Sequence, residues 1–147
     1  MSLKELFAGR LDVSAVMARL GQVADDLDLP FGDRSHTYNS RRAQELGKWA
    51  EQQNKEQDFQ DAIYRAYFVD GKNISQIPVL TEIAAGIGLN ALEAEQVLLQ
   101  RSFAGQVDND WNRARSMGIT AVPSMRYGDK FLVGFHPYEE FRKLLSD

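Results

Sequence analysis

The side chains best suited to acid–base or ligand chemistry near neutral pH are two histidines, His36 and His136, and the sequence contains no cysteine. Without sulfur there is no thiolate nucleophile, no disulfide and none of the common thiolate zinc sites. His36 follows Asp33 and Ser35, the residue types of a hydrolytic triad. Triad members meet in space rather than in consecutive positions, so these three read as loop residues. His136 precedes Pro137 at an expected helix start, where it reads as a cap, because spacing places no nucleophile or second ligand near it. No Glu-x-x-His or His-x-x-x-His pair exists to gather ligands around a metal. The sequence is therefore expected to hold no catalytic residue, no cofactor and no metal. What remains is Val122-Pro123, an X-Pro bond at a chain reversal and hence a candidate cis peptide; its bland alternative is a strand-start proline with structural work only.

The elements around that bond are a hairpin and a series of helices. Gly128-Asp129 separates two runs of β-branched and aromatic residues, which predicts a two-residue turn with positive φ at Gly128. Everything earlier has helical periodicity. A short turn is expected over residues 3–8, closed by Gly9. Asp12 caps a helix whose inward face would be Val13, Val16, Met17, Leu20, Val23 and Leu27. After a loop over residues 31–36, Asn39 caps a helix with Ala43, Leu46, Trp49 and Ala50 inward. The next helix, residues 54–69, carries Phe59, Ala62, Ile63, Ala66 and Tyr67 on one face and stops at Gly71. Ser75 and Pro78 open another with Val79, Leu80, Ile83, Ala84 and Ile87 inward and Gly88 as its stop. Asn90 and Glu93 have capping-box spacing, and a helix over 103–117 with Phe103, Val107, Trp111 and Ala114 on one face ends at Gly118. A closing helix from Tyr138 to Leu145 would turn Phe141, Leu144 and Leu145 inward. Roughly two-thirds of the chain is then helical against two strands. Trp49, Phe59, Tyr67 and Trp111 read as core aromatics, with Trp111 or Tyr127 bordering an open groove as the alternative.

Composition narrows the function classes. A length of 147 residues predicts one domain, 1–147, large enough for its own core. A net charge of −4 disfavours nucleic acid, and the dense basic spots, Arg41-Arg42 and Arg113-Ala114-Arg115, fall on helix faces. No basic leader with an apolar run and no stretch of membrane-spanning length is visible, so no membrane partner and a cytoplasmic location are expected.

The run Ala66-Tyr67-Phe68-Val69-Asp70-Gly71-Lys72-Asn73-Ile74, then Gly118-Ile119-Thr120-Ala121-Val122-Pro123 and Gly134-Phe135-His136-Pro137, resembles the DsbA-like thioredoxin superfamily. The likeness is to its cytoplasmic branch of polyketide-associated thiol–disulfide oxidoreductases, with the glutathione-dependent 2-hydroxychromene-2-carboxylate isomerases as cousins. It covers Leu3 to Leu145 in order. It implies an α+β, mostly helical fold: an inserted helical domain at about 12–117, followed at about 118–147 by the C-terminal hairpin and helix of an incomplete thioredoxin-like fold. It also implies that Val122 and Pro123 form a cis-proline loop facing substrate. Family members begin with a strand and a Cys-x-x-Cys at a helix N-terminus, where the dipole favours thiolate, and this chain matches only the part of the family pattern C-terminal to that unit. Arg126 stands where the family usually has an apolar strand residue, and Phe135-His136 where a small residue and Gln are common. In the isomerase cousins polar residues near Asn39 help hold substrate; capping explains Asn39 without that.

Two function classes are compatible with these features. One is an oxidoreductase-family domain that by itself exchanges no thiols, with a glutathione-dependent isomerase remnant as a variant. The other is a non-enzymatic, self-associating helical domain. A two-stranded hairpin leaves backbone edges unpaired, so a homodimer is expected, with the Phe131–Val133 edge favoured because Pro123 weakens the start of the first strand.

Overall fold

The structure, a computed structural model, describes residues 1–7 and 12–146. Its elements in order are α1 (Leu3–Phe7), α2 (Val13–Asp26), α3 (Arg41–Gln52), α4 (Glu56–Tyr64), a π-helical turn (Arg65–Val69), α5 (Ile77–Gly86), α6 (Ala91–Gln100), α7 (Ala104–Ser116), β1 (Ser124–Tyr127), β2 (Lys130–Val133) and α8 (Tyr138–Leu145). They fall into two compact units, Met1–Val107 and Asp108–Asp147, whose boundary lies inside α7.

In the first unit α3, α4, α5 and α6 pack around one apolar core. Leu46, Ala50, Leu80, Ala84 and Ala94 are fully buried, and Trp49, Phe59, Ile63, Ile83, Leu98 and Phe103 are among the other members of the cluster. The alanines sit where larger side chains would hold the helices apart, and each buried leucine contributes about 2 kcal/mol. The faces expected of α3 and α5 are thus the ones that are buried. The local signals are met as well. Asp12 Oδ1 accepts from Ser14 N (3.0 Å) and Ala15 N (3.1 Å), and Asn90 Oδ1 accepts from Leu92 N (2.9 Å) and Glu93 N (3.2 Å), the cap half of the expected box, with no return bond from Asn90 N to the Glu93 side chain among the described residues. Positive φ occurs at Gly71, Gly88 and Gly118. A reciprocal box that the sequence reading passed over opens α1: Ser2 N donates to Glu5 Oε2 (2.7 Å) and Glu5 N to Ser2 Oγ (3.1 Å).

Several expectations are corrected. The apolar stripe of α2 is not a core face: Val16, Leu20 and Leu27 are 38%, 44% and 58% exposed, and Ala24 alone in that helix is buried. Periodicity marks a face that would be covered, not what covers it, and α2 packs chiefly on the short α1. Asn39 lies one residue before the nominal cap Ser40, although its Oδ1 does accept from Arg41 N (2.8 Å). Gln76 occupies the cap position of α5 without a side-chain capping bond; the Asn73 side chain takes both the Ser75 N–H and hydroxyl, so Ser75 closes a turn instead. The single helix expected over 54–69 divides, its last turn widening to π geometry, where Gly32 N donates to the Phe68 carbonyl (3.0 Å). Trp111 is 40% exposed rather than core. The expected Ala8 end and Gly9 stop of the first helix lie outside the described residues.

In the second unit the hairpin pairs Ser124 with Val133, Met125 with Leu132, Arg126 with Phe131 and Tyr127 with Lys130. Gly128 has φ +58° and Asp129 does not share the positive sign, the pattern of a type II′ turn, in which Gly supplies the first central residue. α8 packs on β2. None of residues 108–146 is buried, and Leu145, expected inward, is 62% exposed.

Candidate functional site at the Val122-Pro123 loop

Each part of this loop is placed by an identifiable local cause. α7 ends where Gly118, at φ +76°, turns back so that its N–H donates to the Arg115 carbonyl (2.9 Å) and Ile119 N to that of Ala114 (3.0 Å). The chain then runs to Val122-Pro123, whose peptide bond is cis. Two bonds pin the far side. Ser124 Oγ donates to the Ala121 carbonyl (2.6 Å), and Gly134 N donates to the Pro123 carbonyl (2.8 Å), extending the hairpin pairing by one step. Val122 is 89% exposed and makes no main-chain hydrogen bond among the described residues. An exposed apolar side chain flanked by an unpaired N–H and C=O can accept another chain in backbone register, and that is the chemistry the loop offers.

Neighbouring groups add no acid, base or nucleophile. The carbonyl of Val133 can only accept, so His136 donates to it through Nε2–H (2.8 Å); the ring braces the β2–α8 connection, and the helix cap is Pro137, one residue later than expected. Arg126 is accounted for within the hairpin: Nε donates to the Gly128 carbonyl (2.7 Å) and the guanidinium lies 5.2 Å from the centroid of Phe131, its cross-strand partner. In the first unit, Ser35 Oγ and His36 Nδ1 are 2.8 Å apart, with no bond to Asp33 among the described residues, and His36 stacks on Tyr38. No group of three or more His, Cys, Asp or Glu able to hold a metal occurs among the described residues.

Two first-unit features escaped the sequence reading. Glu45 is fully buried, bound by Arg41 Nε (2.7 Å) and Arg101 Nη2 (2.6 Å), and Arg41 also donates to the Ala104 carbonyl (2.8 Å). Arg101 foremost, then Arg41, holds the Glu45 carboxyl below its ordinary range, against the opposing effect of burial. The i, i+4 spacing of Arg41 and Glu45 was a visible signal; the Arg101 partner was not. The second feature is Arg34, which lies over the rings of Tyr67 (4.5 Å) and Phe68 (5.1 Å).

A helical segment leading through a cis-proline loop into a two-stranded hairpin and a closing helix is the C-terminal order of a thioredoxin-like domain with a helical insertion. The chain belongs to the DSBA-like thioredoxin domain family, whose model matches residues 7–146. It is 28% identical over 100 residues to the uncharacterized protein YwbO of Bacillus subtilis, covering 67% of this chain and 50% of that protein. The chain thus spans half the length of this curated relative. Its fold is similar to that of 2-hydroxychromene-2-carboxylate isomerase (TM-score 0.74, 17% identity, 83% of this chain and 60% of that one). It is also similar to that of the cytosolic disulfide reductase DsbM from Pseudomonas aeruginosa solved with GSH (TM-score 0.59, 21% identity, 84% and 65%).

Proposed function

We propose that this chain is the substrate-facing part of a DsbA-type thiol–disulfide oxidoreductase, and that by itself it exchanges no thiols. The observation that carries this reading is the exposed Val122 beside Pro123, with main-chain groups open to a partner strand. Exchange begins with attack by a thiolate, and the sequence contains no cysteine. A small cysteine peptide is the ligand class we assign, since the disulfide reductase with a similar fold was solved with GSH. A glutathione-dependent isomerase remnant would use the same loop. We place the protein in the cytoplasm, in keeping with that neighbour's description as cytosolic and with no helix among the described residues being long and apolar enough to cross a membrane.

Isotope-labelled protein titrated with oxidised glutathione should shift the Ala121, Val122 and Ser124 amides first, while insulin reduction by dithiothreitol proceeds at the background rate. Shifts confined to other regions, or insulin turnover above background, would overturn the reading. A second reading, a non-enzymatic self-associating domain, is favoured by one specific observation: the second unit leaves Phe131, Val133, Phe135 and Tyr138 at 43–74% exposure around an unpaired two-stranded sheet.

A further inference from the structure

We propose that the first unit binds a small amphiphilic carboxylate in the cleft between α1, α2 and the 31–35 loop, with Arg34 as its anchor. The cleft has a volume of about 910 Å³, the size of a small-molecule site, and lies wholly within the first unit. Its walls divide by chemistry. Val13, Met17, Ala18 and Phe31 offer an apolar bed, and Arg34 and Ser35 also line it, the Ser35 hydroxyl lying 2.8 Å from His36 Nδ1.

Arg34 makes no ion pair among the described residues, a state it shares with Arg19, Arg42, Arg65, Arg113 and Arg115, whereas Arg41, Arg101, Arg126 and Arg142 each meet a carboxylate; two further observations single it out. Its Nε is the one buried side-chain polar atom among the described residues that lacks a hydrogen-bond partner. Its position is instead set by the Tyr67 and Phe68 rings, two consecutive residues that the π-helical turn presents together. A cation held by stacking, short of polar partners and lining a ligand-sized cleft, has its electrostatic demand unmet by the chain itself. A planar carboxylate matches the guanidinium fork, and the apolar bed takes a hydrocarbon body. Lys4 adds a second cation to the walls. Asp33, exposed at the rim, opposes multiply charged anions, which favours a single carboxylate over a phosphate dianion.

Decanoate, titrated into isotope-labelled full chain below its micellar concentration, is the probe. The Gly21, Gly32 and Ser35 amides should shift saturably. Arg34→Met should weaken binding by at least about tenfold and Arg34→Lys by less, since a charge without the fork remains. Gly21→Leu keeps Arg34 and should weaken binding by at least about tenfold, because Gly21 lines the cleft and a Cβ there meets nothing within 4 Å, so the added side chain projects into the space a ligand would occupy. That variant serves as the decisive one if Arg34→Met fails to fold. Three outcomes overturn the proposal: no saturable shift at these amides, undiminished affinity in Gly21→Leu or in a folded Arg34→Met, or decanol binding as tightly as decanoate.

Discussion

Glu45 is the residue on which most of the first unit's polar accounting turns. Its carboxylate takes hydrogen bonds from Arg41 and Arg101 and joins α3 to the end of α6, where Arg101 is held at φ +53°, a conformation unusual for a side chain of its size. Because the folded carboxyl is held below the ordinary value of 4.5, its stabilisation is fully present above that value and is lost as the pH falls through the depressed one. Glu45→Gln should therefore cost about 2 kcal/mol in urea unfolding at pH 7. The gap to wild type should narrow at pH 3, and a gap of equal size at both would contradict the ion-pair account. Gly32 acts through what it lacks. A Cβ there would lie 2.0 Å from the Val69 carbonyl oxygen, which is backbone and cannot swing away. Gly32→Ala should lower stability by about 3 kcal/mol in the same assay, through displacement of the 31–35 loop from the π-helical turn.

At the level of elements, ends are decided locally and faces are not. The start of α6 depends on one side chain, since Asn90 alone satisfies two of the first free N–H groups. Asn90→Ala should cost about 1 kcal/mol, measured by urea denaturation, with Asn90→Ser nearly neutral; equal losses in both would show that the cap is not the cause. The hairpin follows the same logic, with Gly128 supplying the one positive φ that joins β1 to β2. α2 and α8 behave differently. Both are amphipathic in sequence, yet Leu20 and Leu27 on α2 and Leu145 on α8 stay exposed. Periodicity ordered these helices without naming a partner for them.

For the whole molecule, the second unit has no buried residue among those described to serve as a core, and its two strands pair only with each other among the described residues. Such a sheet is marginal in water unless something covers it. A two-fold dimer would bury the same patch twice, through strand edges or through apolar faces, over more than about 1,000 Å² in total. Light scattering across a concentration series should report a dimer, and a mass of 16.6 kDa at high micromolar concentration would end that reading. Val133→Pro separates the two modes. Gly134 N bonds to the Pro123 carbonyl, so by the alternation of the ladder the Val133 N–H faces the open edge; removing it should dissociate a dimer paired through that strand, whereas one packed through apolar faces should persist.

The sequence by itself determined what a few neighbouring residues can satisfy. The Asp12 and Asn90 caps, the positive φ at Gly71, Gly88, Gly118 and Gly128, and the register of the hairpin all close within a handful of positions. The core of α3 and α5 was legible too, because their apolar residues repeat on one face and are buried there. The Val122-Pro123 loop was legible through its residues and their resemblance to a family. Tertiary structure decided the rest. Arg101 lies 56 residues from Glu45 and no spacing rule joins them. The Gly32 N–H reaches the Phe68 carbonyl at the end of the π-helical turn from more than thirty residues upstream, a partner no local spacing names. Arg34 sits on Tyr67 and Phe68 only because that loop and that turn meet. Short-range hydrogen bonds are chosen by the residues beside them, whereas burial and ion pairing are chosen by whatever the fold brings near.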